Sequence, residues 1–189
     1  VIVIPVAAVA AAVALGLLLV LLPEPSGPSA TMSAPTPAPG QGRLVSIDST
    51  TVHATASSVL PPAPPATFVA ENTLDGDLST AWKSDGDAAP GVGATLTYRF
   101  AEPVRLGRID LANGDQAGAQ EYARDARVKT VTVTTDRAQR TFNIGDSKGF
   151  QQLEFDFGMT GQVTLRVDET YPGTTDDIAI SEVVFYNLG

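Results

Sequence analysis

The sequence predicts an all-β antiparallel sandwich or jelly roll, preceded by one transmembrane helix and a disordered linker. From residue 43 onward, short runs of alternating apolar and polar residues recur between polar turns, and none shows the period of a long amphipathic helix. Before residue 43 the chain is first purely apolar and then rich in proline. We therefore expect three parts, with bounds 1–22, 23–42 and 43–189.

Residues 1–22 carry no charged side chain. This run matches the roughly 20 residues that a helix needs to cross a bilayer, and membrane helices tolerate Pro5 and Gly16. The alternative is the apolar region of a signal peptide, which is shorter, at about 7–15 residues, and ends in a small-residue cleavage site. The pattern favours a transmembrane anchor, and predicts a single-pass membrane protein with an extracytoplasmic C-terminal domain.

Residues 23–42 are dominated by Pro, Ser, Ala, Thr and Gly. Such a segment cannot bury enough apolar surface to fold by itself. Its prolines favour an extended conformation, so we expect a semi-rigid stalk between the membrane and the folded domain.

The folded part shows strand periodicity throughout. Leu96, Tyr98 and Phe100 alternate with polar residues, which places them on one face of a strand. A phase change across Gly107 predicts a β-bulge. The prolines of 61–65 predict a surface loop, because proline cannot donate to a strand ladder. The candidate strands are 43–48, 52–57, 94–100, 104–111, 127–135, 140–144, 153–157, 163–167 and 178–186.

Composition excludes several classes of function. The net charge is −9 with no basic cluster, which argues against nucleic acid and against an anionic membrane surface as partner. The chain has no cysteine, hence no disulfide, thiolate nucleophile or Cys-based zinc site. With His53 as the only histidine and no Gly-x-Ser-x-Gly elbow, we predict that the chain is not an enzyme. A divergent hydrolase using paired carboxylates, Asp75/Asp77 or Asp176/Asp177, is a less favoured alternative.

The segment 71–82 is the densest in polar turn residues. Asp75, Gly76 and Asp77 predict a tight turn, and Trp82 is predicted to enter the core. On the last strand, Glu182 has the parity of apolar residues, and a buried carboxylate needs a partner. Two interpretations remain open. Glu182 is half exposed at a strand end or pairs with an arginine, or it shares a calcium ion with the turn.

These motifs resemble the discoidin family, the C-type domains of coagulation factors five and eight, which are galactose-binding-like jelly rolls. The resemblance covers roughly residues 46–186 and is carried by 72–82, 96–100, 103–109 and 180–186. A finer resemblance, to the glycan-binding domain of bacterial NADase toxins, involves Asn113-Gly114, Tyr122, 124–129 and 171–182. The cysteines that flank the animal domains are missing here.

The resemblance implies a binding module, mostly for carbohydrate and sometimes for lipid or protein. It implies a structural Ca²⁺ held by the side chains of Asp77 and Thr80, with Leu74, Asp75 and Glu182 contributing carbonyl or carboxylate oxygens.

The resemblance also places bound sugar in the loops at one end of the sandwich. An aromatic platform with planar hydrogen-bonding groups could come from five residues. The candidates are Asn113, Tyr122, Arg124, Arg127 and Tyr171. Alternatively, the two tyrosines cap the core, and the arginines pair with Asp125 and Glu169.

We therefore predict a non-catalytic, membrane-anchored surface module whose partner is a glycan or a cell-surface protein. The alternative is a structural or protein-interaction ectodomain without a sugar ligand.

Overall fold

The computed structural model describes residues 42–86 and 91–189. In this part the chain forms antiparallel strands around one apolar core, as predicted. The strands are β1 (Leu44–Ser46), β2 (Val52–Ala56), β3 (Trp82–Lys83), β4 (Thr95–Asn113), β5 (Arg127–Thr135), β6 (Gln139–Asn143), β7 (Phe150–Glu154), β8 (Met159–Tyr171) and β9 (Ala179–Leu188). A short helix, α1 (Ala119–Arg124), precedes β5, and 3-10 turns cover Ser49–Thr51 and Ala70–Thr73.

The predicted transmembrane helix 1–22 and linker 23–42 lie outside the described residues, apart from residue 42 itself. Among the described helices, none combines the length and apolar character needed to cross a bilayer.

Strand β4 belongs to both sheets. Its first half pairs with β2 and β8, and β5 and β6 complete that sheet. Its second half pairs with β7 and β9, and β1 and β3 both lie along β9. The pairing with β8 shifts register between Arg99 and Val104, where β4 passes from one sheet to the other. The sequence predicted this long strand as two.

The predicted bulge at Gly107 is present. The pairing of β4 with β9 shifts between Leu106 and Arg108, so Leu106 and Ile109 both reach the core, at 0% exposure. Strand β5 has the predicted bounds. By contrast, β7 ends at Glu154, so Phe155 is exposed rather than part of a buried face.

The last strand departs from the predicted face. Its pairing with β4 shifts at Ser181, which reverses the alternation beyond that residue. Val183 and Phe185 therefore enter the core, and Val184 is only partly buried. Glu182 is buried, but beyond the shift it lies with Val184 on the face opposite Val183 and Phe185.

The core centres on aromatic side chains. Trp82 is fully buried, as predicted, and its indole N–H donates to the carbonyl of Ser58 at 3.0 Å. Phe185 makes edge contacts with Tyr98 and Phe100, with centroids 4.9 and 5.3 Å apart. Such pairs stabilise a fold by about 0.5–1.5 kcal/mol beyond their buried area.

Four strand termini meet at one end of the sandwich, which we call the loop end. Strand β4 finishes there at Asn113, opposite Ile180 near the start of β9, and Arg127 of β5 lies opposite Tyr171 of β8. Leu44 pairs instead with Leu188, at the far end of β9. A ten-residue strand spans roughly 33 Å, so the domain's N-terminal strand starts at the end remote from these loops.

Candidate ligand-binding site

The acidic turn, residues 74–80, is held by its own side chains. The Asp75 carboxylate accepts from the backbone N–H of Asp77 at 2.8 Å and from the Thr80 hydroxyl at 2.7 Å. The Asp77 carboxylate accepts from the N–H and the hydroxyl of Ser79, and these bonds hold the pKa of Asp77 below its usual range. Gly76 adopts φ of 77°, which favours glycine. The predicted tight turn is therefore present.

Glu182 meets this turn from the last strand. Its Oε2 accepts from the backbone N–H of Gly76 at 3.0 Å, and the residue is only 4% exposed. Burial raises the pKa of Glu182 to about 7, the Gly76 N–H opposes that rise, and the charges of Asp75 and Asp77 add to it. No arginine or lysine of the described residues pairs with Glu182. The predicted meeting of the turn with the last strand is confirmed.

The side chains of the turn bear on the predicted calcium site. The described part of the chain contains no group of three or more His, Cys, Asp or Glu side chains that could hold a metal ion. Both oxygens of Asp75 are engaged within the turn, so a cation would have to displace those donors. Calcium bound by Leu74, Asp75, Asp77, Thr80 and Glu182 therefore stays a prediction.

A separate cavity of about 380 Å³ opens at the loop end. One wall is the segment 65–68, which ends in the partly buried ring of Phe68. The residues that follow β4 and those of α1, including Glu121 and Arg124, also line the cavity. The full lining is Pro65, Ala66, Thr67, Phe68, Asn72, Ser79, Thr80, Ala81, Lys83, Asp115, Ala117, Glu121 and Arg124.

A buried charge cluster underlies the cavity. The Lys83 ammonium, 3% exposed, lies 2.6 Å from the Asp115 carboxylate and 2.7 Å from that of Asp125. It also lies 4.8 Å from the ring centroid of Phe68. Arg124 contacts the same two carboxylates from the surface, at 2.8 Å to Asp125 and 3.6 Å to Asp115. The cluster thus ties β3, the segment after β4, and the start of β5 together.

The two cations are balanced within this cluster. Burial alone would raise the pKa of Asp125, but hydrogen bonds from Arg124 and Lys83 bring it below the ordinary value. Those same bonds to Asp125 raise the pKa of Arg124. The Arg124 side chain is 46% exposed and remains accessible from the cavity.

Of the predicted ligand residues, Asn113 has a structural position instead. It is fully buried, and its amide exchanges two 2.8 Å hydrogen bonds with the backbone of Val128. These bonds join β4 to β5 where no ladder connects them, so Asn113 does not reach the surface as predicted.

Arg127 likewise serves the fold. It is 8% exposed, and its guanidinium binds Asp146 through two contacts of 2.9 Å and donates to the carbonyls of Asp125 and Pro172. This ion pair holds the pKa of Asp146 below its usual range. Arg127 is thus buried and engaged within the fold, and its predicted contact with a ligand stays a prediction.

The two predicted tyrosines surround this pair. Tyr122 stacks 5.3 Å from the Arg127 guanidinium and donates to Asp146, while the Tyr171 hydroxyl donates to the carbonyl of Ile144. Both are partly buried, and neither lines the cavity. Only Arg124 of the five candidates does so.

Sequence reasoning missed Phe68 altogether and did not single out Lys83, Asp115 or Glu121 as site residues. Phe68 follows a proline-rich segment that carries no periodic pattern. Lys83 carried no local signal either, because successive residues of a strand face opposite ways and a lysine after a core-facing tryptophan is expected on the outer face.

Comparison with solved structures agrees with the fold. The domain CpGH89CBM32-5 of Clostridium perfringens, in complex with GalNAc-β-1,3-galactose, is 16% identical, with 75% of this chain and 99% of that chain covered and a TM-score of 0.60. The family 32 CBM of C. perfringens NanJ, in complex with galactose, is 12% identical over 77% and 100%, with a TM-score of 0.59. CBM32-3 from a C. perfringens family 31 glycoside hydrolase is 22% identical over 75% and 94%, with a TM-score of 0.61.

None of the curated proteins matches this chain. A family model does match it, over residues 47–186, which is most of the chain and nearly all of the described domain. The resemblance to discoidin-type domains is thereby confirmed. The chain belongs to the family of NAD glycohydrolase translocation F5/8 type C domains.

Proposed function

We propose that this domain is a non-catalytic module that binds carbohydrate in the loop-end cavity. One observation carries the proposal. The cavity is lined by the aromatic Phe68, the exposed side chain of Arg124 and the hydroxyl-bearing residues Thr67 and Ser79. A concave site with an aromatic wall and a few fixed polar groups suits a sugar ring.

The solved neighbours support this choice of ligand. Two of them were determined with galactose or GalNAc-β-1,3-galactose bound. Because the same fold can serve unrelated functions, the cavity and not the fold is the reason to expect sugar binding. The neighbours indicate which sugars to test first.

The carboxylate pairs named as hydrolase candidates support a role without catalysis. Asp75 and Asp77 are engaged by donors of their own turn, and Asp177 accepts from the backbone N–H of Gly86 at 3.0 Å. None of the three lines the cavity. We further propose that the apolar run 1–22 anchors the chain in a membrane, with the domain displayed outside the cytoplasm.

A glycan array probed with the full chain tests the binding proposal. We expect galactose- or GalNAc-terminated glycans to be retained. The variant Phe68→Ala should lose them, whereas Phe155→Ala, which removes an exposed ring outside the cavity, should not. An array without any bound glycan, or a Phe68→Ala variant that binds like the wild type, would refute the proposal. Proteins captured instead by pulldown without sugar competition would favour the protein-interaction alternative.

A further inference from the structure

The charges lining the cavity carry information about the class of sugar. Two cations, Lys83 and Arg124, face it, and both are committed to aspartates within 3 Å. A cation that is already paired attracts an incoming anion weakly, because the nearby carboxylate cancels most of its field. Neither side chain therefore offers an uncompensated positive charge to an acidic ligand.

Glu121 is in the opposite situation. It lies on α1 with its Oε2 over Gly118 at the start of the helix, and it lines the cavity and is partly exposed. Among the described residues, no side chain or backbone donor makes a hydrogen bond or ion pair with its carboxylate, although the charge of Arg124 lies near enough to interact. The lining holds two carboxylates, Asp115 and Glu121, against the two cations, and the buried Asp125 beside Lys83 adds a third carboxylate, so negative charge is in excess by one in and next to the cavity.

One further cation, Lys148, lies near α1 but outside the cavity lining. Lys148 donates to the carbonyl of Gly118 at 2.8 Å and lies 5.5 Å from the Tyr122 ring centroid.

Resting on the proposed function, we infer that the cavity accepts uncharged sugars and rejects anionic ones, with Glu121 as the specificity-determining residue. Its free carboxylate can accept hydrogen bonds from sugar hydroxyl or amide N–H groups. A sugar carboxylate or sulfate in the same place would meet a like charge, and like charges across a site suppress the wrong partner.

Two sugars that differ at one carbon test the inference. Methyl β-galactoside carries a hydroxymethyl group where methyl β-galactosiduronate carries a carboxylate. Titration calorimetry with the full chain should give an affinity for the galactoside about tenfold or more above that for the uronate at low salt. The preference should shrink as added salt screens the charges.

The variant Glu121→Gln keeps the shape of the side chain and one acceptor oxygen while removing its charge. We expect it to bring the two affinities to within about threefold, mainly by improved binding of the uronate. Glu102→Gln is the matched control, since it removes one exposed charge where β4 crosses between the sheets, and it should retain the wild-type preference.

The outcomes separate the two proposals. Equal binding of both sugars by the wild type, or an unchanged ratio in Glu121→Gln, would overturn the inference on specificity and leave the cavity a sugar site. Binding of neither sugar, together with an empty glycan array, would overturn the proposed function and the inference with it.

Discussion

The acidic turn and the charge cluster both bring carboxylates from distant parts of the chain together, but they balance them differently. In the turn, Asp75, Asp77 and Glu182 accept only from hydroxyl and N–H donors, and the pKa of Glu182 is raised, mainly by burial and further by the charges of Asp75 and Asp77. In the cluster, Lys83 and Arg124 supply positive charge directly, and the pKa of Asp125 is lowered. The cluster is thus complete within this chain, whereas the turn retains a repulsion that a bound cation could relieve.

The largest expected effect tests the completeness of the cluster. Lys83→Met leaves two buried aspartates without their shared cation, and breaking such a buried pair costs about 3–5 kcal/mol in the free energy of unfolding. Lys129→Met removes a lysine from an exposed pair with Glu169 and should cost at most about 1 kcal/mol. Urea denaturation of both variants gives the comparison, and equal losses would show that the cluster does not stabilise the fold.

A bound calcium ion would supply the turn with the positive charge that Lys83 and Arg124 supply to the cluster. A ligand that binds only the folded state at about 100 times its dissociation constant adds about 2.7 kcal/mol to the free energy of unfolding. We therefore expect calcium to raise the melting temperature and a chelator to lower it.

Two variants identify the source of a calcium effect. Asp77→Ala should abolish the shift, and Asp136→Ala, which alters another exposed aspartate that accepts from Thr160 and Gly161 of β8, should preserve it. Equal melting temperatures of the wild type with calcium and with chelator would show that calcium does not stabilise the folded chain.

The pH dependence of the free energy of unfolding, measured in the presence of a chelator, reports the raised pKa of Glu182. Burial raises the pKa of Glu182 from 4.5 to about 7, so the folded chain holds this proton more tightly than the unfolded chain. Its contribution is fully present below pH 4.5 and is lost as the pH rises to about 7, a change on the order of 2 kcal/mol.

Glu182→Gln removes that titration. The stability of this variant relative to the wild type should therefore rise between pH 5 and pH 8, as followed by denaturant midpoints. A difference that stays constant across this interval would show that Glu182 ionises normally in the folded chain.

The contrast between the two regions also explains what the sequence could predict. The turn is local: Asp75, Gly76, Asp77 and Thr80 bond to one another, so their spacing alone predicted its form. Strand β5 was predicted with its bounds for a similar reason, because its alternation is uninterrupted. Where a bulge intervenes, as at Ser181, the alternation reverses and the predicted face failed.

The cluster could not be predicted because its members share no local pattern. Lys83 is on a two-residue strand, while Asp115 and Asp125 lie in the connection between β4 and β5. Only the pairing of β3 with β9 and of β5 with β8 brings these segments to one end. For the same reason, Asn113 and Arg127 were recognised as polar residues at the right end of the sandwich, but their burial was not foreseen.

The smallest change in stability is expected for Arg124→Gln, which tests whether Arg124 serves ligand binding rather than the fold. Arg124 is 46% exposed, and Asp125 keeps Lys83 as a partner when Arg124 is replaced. Arg124→Gln should therefore alter the free energy of unfolding by less than about 1 kcal/mol, yet weaken binding of a galactose-terminated glycan by about tenfold, because it removes the exposed planar donor from the cavity wall. Denaturation and calorimetry on the same sample measure both quantities. If both fall together, Arg124 belongs with Lys83 as part of the fold; if neither changes, the sugar lies elsewhere than against this wall.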